Sequence, residues 1–452
     1  MSFSAASLYA LLESSVPEGA TGLVVALSGG ADSAALLAGL AGLAAHAGPG
    51  GGFRGLPLRA VHIDHGLQAA ASAFREACKH LCEHLGVPLE LIRVEVQSEA
   101  GLSIEAAARD ARYAALAAQL QPLECLLTAH HRQDQAETLL LQALRGAGVK
   151  GLSAMPVCRV FGLGWHVRPV LDVPHDELLK WGGQLEDSKV IDPMNEDLRF
   201  DRTYLRKAIW PLIEARWPGA EIALSRSARH MAEAQELLDR AAAADVARLR
   251  DGDALSVPAL RALPQPQRMN AIRAWLSEAG VEAPSTARLI EALRQVFDAD
   301  ADHQPAIVWG NKALRRYRQR LFLTEADCPC LDGARPWATA LGSSIALAAN
   351  LGHLAWREQM GGLAADALPA AVIVRRREGG ETLKPARSAK TQTVQHLCQS
   401  QGVLPWMRDA LPFVFAGDEL IAVADLWLEA RWCAAPDAPG LKVAWNNAPV
   451  VI

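Results

Sequence analysis

Residues 22–40, GLVVALSGGADSAALLAGL, constrain the fold of this chain more than any other stretch. An apolar run, Leu23 to Leu27, meets Ser28-Gly29-Gly30-Ala31-Asp32-Ser33, and an alanine- and leucine-rich helical pattern follows. Two adjacent glycines let the backbone turn tightly and bring its N–H groups close to an anion. Asp32 and Ser33 are helix-capping types, placed where a helix dipole also favours phosphate. The same strand, turn and helix occur in α/β domains that hold no ligand there. A kinase-type phosphate loop is excluded, because no lysine follows the glycines.

The pattern continues as an alternation. Strand-like runs at 23–27, 58–64, 89–94 and 125–129 are separated by helical stretches such as 69–85 and 103–120. Strands joined by crossover helices predict an α/β domain built on a doubly wound parallel sheet. Ligands on such sheets bind beyond the C-terminal strand ends, where Ser28, Asp64 and His130 fall. Residues 48–52, Gly-Pro-Gly-Gly-Gly, read as a loop. A further helical pattern covers 134–143, and a loop-rich segment runs to about Pro174. Residues 220–300 read as nearly all helical, and shorter β-like runs follow at 306–309, 321–323, 372–374 and 420–427. We expect three domains: an α/β domain over 1–215, a mainly helical domain over 216–330, and a small α+β domain over 331–452.

Composition narrows the class. Of 452 residues half are apolar and 21% are charged, as in a soluble globular protein. No apolar stretch has membrane-spanning length and the start lacks a basic leader, so a cytoplasmic location is expected. None of the eight cysteines forms Cys-x-x-Cys or a zinc-finger spacing, and all read as reduced thiols. A net charge of −5 argues mildly against a nucleic-acid binder. Local clusters cut the other way: Lys312, Arg315, Arg316, Arg318 and Arg320, and Arg375, Arg376 and Arg377 ahead of Lys384, Arg387 and Lys390. Such runs are solvated faces as often as phosphate contacts.

Three constellations carry possible chemistry. His62 and Asp64 are polar residues at the end of a strand that would otherwise be apolar, so they face a site or hold a loop. Glu105, Arg109 and Arg112 share a helix face, as a surface ion pair or as donors to a polyphosphate. Thr128-Ala-His130-His131-Arg-Gln-Asp134-Gln-Ala-Glu137 runs from a strand end into a helix. Asp134 and Glu137 at i, i+3 can bind an ammonium group, hold magnesium or accept a proton, or they simply cap the helix. His130 can bind phosphate or assist proton transfer.

SGGADS resembles the pyrophosphate loop of ATP-dependent enzymes that adenylate a carbonyl. Together with VHIDHGL, the Glu105–Tyr113 helix, TAHHRQDQAET and LRGAGVKGLSAM, it stands in the order found in tRNA(Ile)-lysidine synthases. Arg168-Pro169-Val170-Leu171, the 192–197 segment and Arg202 through Pro211 are similar to the close of that family's catalytic domain. Arg377–Glu381, Leu404-Pro405-Trp406 and Asp425-Leu426-Trp427 are similar to its final domain.

The resemblance implies ligation of L-lysine to C2 of the wobble cytidine of isoleucine tRNA with a CAU anticodon. ATP is the co-substrate, Mg2+ accompanies it, and a homodimer is compatible with the family. Ser28, Gly29, Gly30, Ala31, Asp32, Ser33 and His62 would bind ATP, and Asp134 and Glu137 would bind the lysine amine, one of them as base. Asp32, Arg112 and His130 would join them in catalysis. Arg145, Arg206, Arg315, Arg316, Arg377 and Lys384 would contact tRNA. Gln133, Met194 and Thr203 depart from the family pattern, which commonly has an acid, serine and asparagine there. Rival readings are a tRNA thiolase with the same loop, a glutamine-fed amidating synthetase and a non-catalytic RNA binder. The first lacks its expected cysteine pattern, and the second lacks a glutaminase-like segment.

Overall fold

The structure is a computed structural model and describes residues 3–46, 52–64, 71–94, 104–182, 197–298, 305–348, 350–386 and 388–449. His65, Asp192, Met194, Arg387 and residues 48–51 of the glycine-rich loop lie outside the described residues. Two compact units, Met1–Leu238 and Asp239–Ile452, divide inside the helix Ala220–Leu249.

The first unit holds the expected doubly wound sheet. Its strands are β1 (Gly22–Ala26), β2 (Leu58–Asp64), β3 (Leu89–Arg93), β4 (Glu124–Leu127), β5 (Cys158–Phe161) and β6 (Gly164–Val167), in the order β3-β2-β1-β4-β6-β5. All neighbours pair in parallel except β5 with β6. The helices α1 (Ala5–Ser15), α2 (Ala31–His46), α3 (Ala71–Leu85), α4 (Ile104–Gln119) and α5 (Arg132–Leu144) follow, then the short α6 (Val149–Leu152) and α7 (His175–Gly182).

Alternation along β1 decides which helices go where. Leu23 and Val25 join one core with Leu8 and Leu12 of α1, Leu36 and Leu37 of α2, and Leu178 of α7. Val24 joins the opposite core with Val61, Leu126, Leu116 of α4, and Leu120 just past its end. Each such fully buried leucine or valine contributes about 1.5–3 kcal/mol. The central strands therefore need apolar residues on both faces, as their sequences supply.

The chain reverses its direction of travel across the sheet between β1 and β4. Adjacent crossovers diverge there and open a crevice at the C-terminal strand ends.

The hairpin β5–β6 corrects the reading of residues up to Pro174 as loop. It turns at Gly162 with φ 56°, and β6 pairs with β4, so non-local pairing makes strands of a segment with weak local signal.

In the second unit, residues read as helix at 250–256 are instead short strands. They extend a five-stranded antiparallel sheet formed with Ala306–Trp309, Lys312–Tyr317 and Arg320–Glu325. Helices Gln265–Glu278 and Thr286–Asp298 share its core through Ile272, Leu276, Leu289 and Leu293, with Leu314 and Leu321 from the sheet. A second core gathers Trp337, Trp356, Phe413 and Val414 around further antiparallel strands, and its Trp337 and Trp356 rings stack at 4.2 Å.

Candidate active site

A cavity of about 260 Å3 lies at the C-terminal ends of β1, β2 and β4. Ser28, Asp32, Ser33, His62, Asp64, Arg112, Tyr113, Thr128, His130 and Asp134 line it. Residues separated by about a hundred positions in sequence meet there because the switch point brings three strand ends together.

The loop between β1 and α2 is braced by its own serines. Ser33 Oγ donates to Gly30 O at 3.0 Å and accepts from Ser28 N–H at 3.2 Å, and Gly30 N–H donates to Ser28 Oγ at 3.2 Å. Gly29 has φ +85°, and a Cβ there would sit 2.7 Å from the Phe74 ring, so glycine is required. The N–H groups of Ala31, Asp32 and Ser33 open α2 and have no intrahelical carbonyl to bond. They form a donor set for phosphate oxygens.

His62 Nδ1 lies 2.8 Å from Leu27 O and so carries the proton, which fixes the buried ring against the loop. Asp64 is buried, with Arg75 at 3.6 Å. Arg112 lies beside the Tyr113 ring and makes no ion pair among the described residues. The Glu105 side chain lies outside those described, so its pairing with Arg109 is not part of this picture.

Asp32 is engaged by α7. His175 Nε2 donates to its Oδ1 at 2.9 Å, and this hydrogen bond raises the His175 pKa. A close approach makes this possible: a Cβ at Gly39 of α2 would overlap the Trp181 ring of α7, which only glycine avoids.

Asp32, His131 and His175 bring one ligand atom each within 4.8 Å of one another. The two imidazoles, however, stack at 4.2 Å with planes 17° apart, so their in-plane lone pairs run side by side instead of converging on one ion. Magnesium demands octahedral oxygen ligation, which imidazoles do not supply. Of the three, only Asp32 offers oxygen ligands.

One turn into α5 the electrostatics change. Asp134 accepts from His131 N–H at 3.1 Å, closing the helix start. Its Oδ1 accepts from Arg202 Nη2 and Arg206 Nη2, both at 2.9 Å. Glu137, fully buried, accepts from Arg202 Nε at 3.2 Å, and from Arg206 Nε at 2.8 Å and Nη2 at 2.7 Å. Burial opposes ionisation of Asp134, but its electrostatic interactions with His131, Arg202, His130 and Arg206 outweigh it and hold its carboxyl down to about 2.

Arg202 and Arg206 are four residues apart on a helical run with a π turn at Leu205–Ile209, which aims both guanidiniums one way. The expectation of Arg206 as a tRNA contact thus meets a different geometry, in which its guanidinium faces the carboxylates. Gln133, where the family commonly has an acid, donates its amide to Glu137 Oε1 at 3.1 Å. The cluster therefore balances two carboxylates against two guanidiniums.

Behind His130 lies a buried polar chain. Thr128 Oγ1 is 2.8 Å from His130 Nδ1 and 2.9 Å from His166 Nε2, and Arg168 Nη2 is 3.2 Å from His166 Nδ1. Burial, reinforced by Arg168, Arg202 and Arg109, pushes the His130 pKa down to about 3 against the pull of Asp134. Burial and Arg168 push His166 down to about 2.

Arg202, His131, His166, Arg168 and His175 were not candidates from sequence. Only the i, i+4 spacing of Arg202 and Arg206 hinted at a shared target.

The other basic candidates divide. Arg316 is buried, and its guanidinium donates to Arg318 O at 3.0 Å and Val296 O at 2.7 Å, so it ties a hairpin to a helix end. Arg315 donates to Thr324 Oγ1 and Ala326 O, and Arg377 pairs with Asp409 at 2.6 Å. Arg145 pairs with Asp201 at 3.0 Å on the surface of the first unit. Lys384 lines a cavity of about 520 Å3 in the second unit.

Comparison with known proteins agrees with the order of the sequence motifs. A PP-loop domain matches residues 4–213, a TilS substrate binding domain 255–322, and a TilS substrate C-terminal domain 372–445. The tRNA(Ile)-lysidine synthase of Alkalilimnicola ehrlichii is 39% identical over 420 residues, 92% of each chain. That of Coxiella burnetii is 38% identical over 392 residues, 86% of each. That of Methylococcus capsulatus is 37% identical over 431 residues, 93% of this chain and 95% of the relative. With its PP-loop domain and both TilS domains in order, the chain belongs to the tRNA(Ile)-lysidine synthase family.

Proposed function

We propose that the chain is an ATP-dependent ligase that joins L-lysine to C2 of the wobble cytidine in isoleucine tRNA with a CAU anticodon. The observation that carries this reading is the convergence of the Ser28–Ser33 loop, Arg112, His130 and Asp134 on one cavity beside a compensated charge cluster. In the first step the cytosine O2 attacks the α-phosphate of ATP, an O–P bond forms, and pyrophosphate leaves. The loop amides, Ser28, Ser33 and Arg112 bind the phosphates, and His62 closes the wall beside them. Magnesium, held through Asp32 and the phosphates, would offset their charge.

In the second step the ε-amine of lysine attacks C2 and AMP leaves with the C2 oxygen. An amine with an unperturbed pKa of about 10.4 must first lose a proton, which passes to solvent water. Asp134, held ionised to about pH 2, is a weak base and acts as an anchoring charge. The four-charge cluster matches the amino-acid end of lysine. Asp134 and Glu137 take its α-ammonium, Arg202 and Arg206 take its α-carboxylate, and the ε-amine reaches toward the cavity that Asp134 lines. This refines the expectation that the carboxylates bind the reacting amine itself. Arg145, Arg315, Arg377 and Lys384 are the basic residues assigned to tRNA phosphates.

The thiolase alternative needs an ionisable sulfur, whereas burial pushes Cys78 and Cys125 up to about 12 and Cys82 to about 11. The test is transfer of radiolabelled lysine to an isoleucine tRNA transcript bearing CAU. Transfer that needs ATP and fails with a methionine tRNA is expected; none, from folded protein, overturns the ligase reading. Lysinamide, which lacks the α-carboxylate, should be a poor competitor of lysine, and equal competition would remove Arg202 and Arg206 from lysine binding.

A further inference from the structure

Arg168 and His166 lie behind Thr128, which lines the cavity wall, and the reaction described above gives none of the three a part. Arg168 and His166 are buried, at 3% and 0% exposure, and Thr128 is at 8%. Chemistry sets the direction of every hydrogen bond between them. A guanidinium only donates, so at 3.2 Å Arg168 Nη2 donates and His166 Nδ1 accepts. A neutral imidazole that accepts at Nδ1 carries its proton on Nε2, so His166 Nε2–H donates to Thr128 Oγ1 at 2.9 Å. The Thr128 hydroxyl proton then needs an acceptor, because a buried donor left unpaired is costly. His130 Nδ1, at 2.8 Å, is the acceptor in reach among the described residues. His130 accepting at Nδ1 is protonated at Nε2, the ring nitrogen left for a ligand in the cavity that it lines.

We propose that Arg168, His166 and Thr128 are positioning residues that fix His130 as a neutral imidazole donating its Nε2–H into the nucleotide site. The inference rests on the ligase reading only for what that N–H meets, an oxygen of the α-phosphate or of the departing AMP. No proton is transferred: the hydrogen stays on Nε2 and stabilises charge developing on oxygen. A neutral donor has an advantage over an imidazolium here, because it keeps its proton throughout the cycle and needs no counter-charge in a buried site. His130 is then neither the general base nor a phosphate-binding cation, two roles the sequence left open. The burial that disfavours a charge on His130 and His166 points the same way.

Nitrogen-15 NMR of the histidine rings in the full-length protein tests the tautomer without any turnover. His130, assigned by loss of its signals in His130→Gln, should show an unprotonated Nδ1 and a protonated Nε2 at neutral pH. A protonated Nδ1, or an imidazolium, would overturn the proposal. Thr128→Ser keeps the hydroxyl and should keep both the tautomer and the lysine-transfer rate. Thr128→Val removes it and should lose the single tautomer, with kcat falling ~10-fold or more and the KM for ATP unchanged within about twofold. Equal loss in Thr128→Ser and Thr128→Val would reduce Thr128 to packing and sink the relay. The NMR result stands whether or not lysine is the transferred group, so failure of the relay is separable from failure of the ligase reading.

Discussion

Two neighbouring regions of the first unit treat charge in opposite ways. Around the Ser28–Ser33 loop, the donors that border the cavity, the first-turn amides of α2, Arg112 and His130, make no ion pair among the described residues, although Asp32, Asp64 and Asp134 line the same space. Around the start of α5, the two carboxylates have their counter-charges, with Asp134 and Glu137 each bonded by both Arg202 and Arg206. The first arrangement keeps donors available for an anion, as suits a PP-loop domain. The second is satisfied until a ligand offers both signs at once, and a free amino acid does so.

That contrast is most easily broken at Glu137. Glu137→Gln leaves two guanidiniums sharing one carboxylate beside a fully buried position. Removing one partner of a buried pair costs about 3 kcal/mol, the low end of the range because Arg202 and Arg206 reach solvent. A lost charge-assisted contact of about 1.5–3 kcal/mol should raise the KM for lysine ~10-fold or more. The KM for ATP should change little, since Glu137 does not line the cavity. Steady-state kinetics with each substrate varied checks this, and parallel losses in both constants would mean that the two regions form one site.

How far such a contrast was legible in the sequence depends on the range of the contacts. The nucleotide region was written locally: Ser28 to Ser33 are consecutive, and β1, β2 and β4 carry apolar runs whose ends mark His62, Asp64 and His130. The charge cluster was only half visible, because Asp134 and Glu137 lie on one helix turn while their partners sit 65 or more residues away. His175 and the His166–Arg168 pair were not legible. The former depends on the approach of α7 to α2 at Gly39, and the latter on the β5–β6 hairpin joining β4. Arg316 shows the converse: a basic run in sequence, with one member turned inward onto backbone carbonyls. Sequence gives charge and spacing, whereas only the fold says which charges are already answered.

Acid sharpens the same contrast at a smaller energy. His166 has its pKa lowered to about 2 and is fully buried, so the folded state holds it neutral while the unfolded chain protonates it near 6.5. Its contribution to stability is therefore present above pH 6.5 and is lost as pH falls toward the folded value. Between pH 7 and pH 5 the loss is about 2 kcal/mol for this residue, at 1.36 kcal/mol per pH unit below 6.5. Denaturant unfolding at the two pH values reads the difference, and His166→Gln should flatten that part of the profile. An unchanged slope in the variant would mean that His166 is protonated in the folded protein.

The smallest effect extends the comparison to the second unit, where Arg316 and Lys384 present the two ways of holding a cation. Arg316 is buried with its guanidinium on carbonyl oxygens, whereas the Lys384 side chain borders an open cavity beside Thr382 and Arg431. If Lys384 meets an RNA phosphate, Lys384→Ala should weaken tRNA binding and reduce the slope of log affinity against log salt by about one contact. Protein stability should stay within about 0.5 kcal/mol, as for other surface changes. Arg316→Ala should do the reverse, lowering the unfolding midpoint while leaving the salt slope of the folded protein as it was. Salt titrations of tRNA binding on both variants measure this directly. A reduced slope in the Arg316 variant alone would assign the RNA contact to the residue that the fold has turned inward.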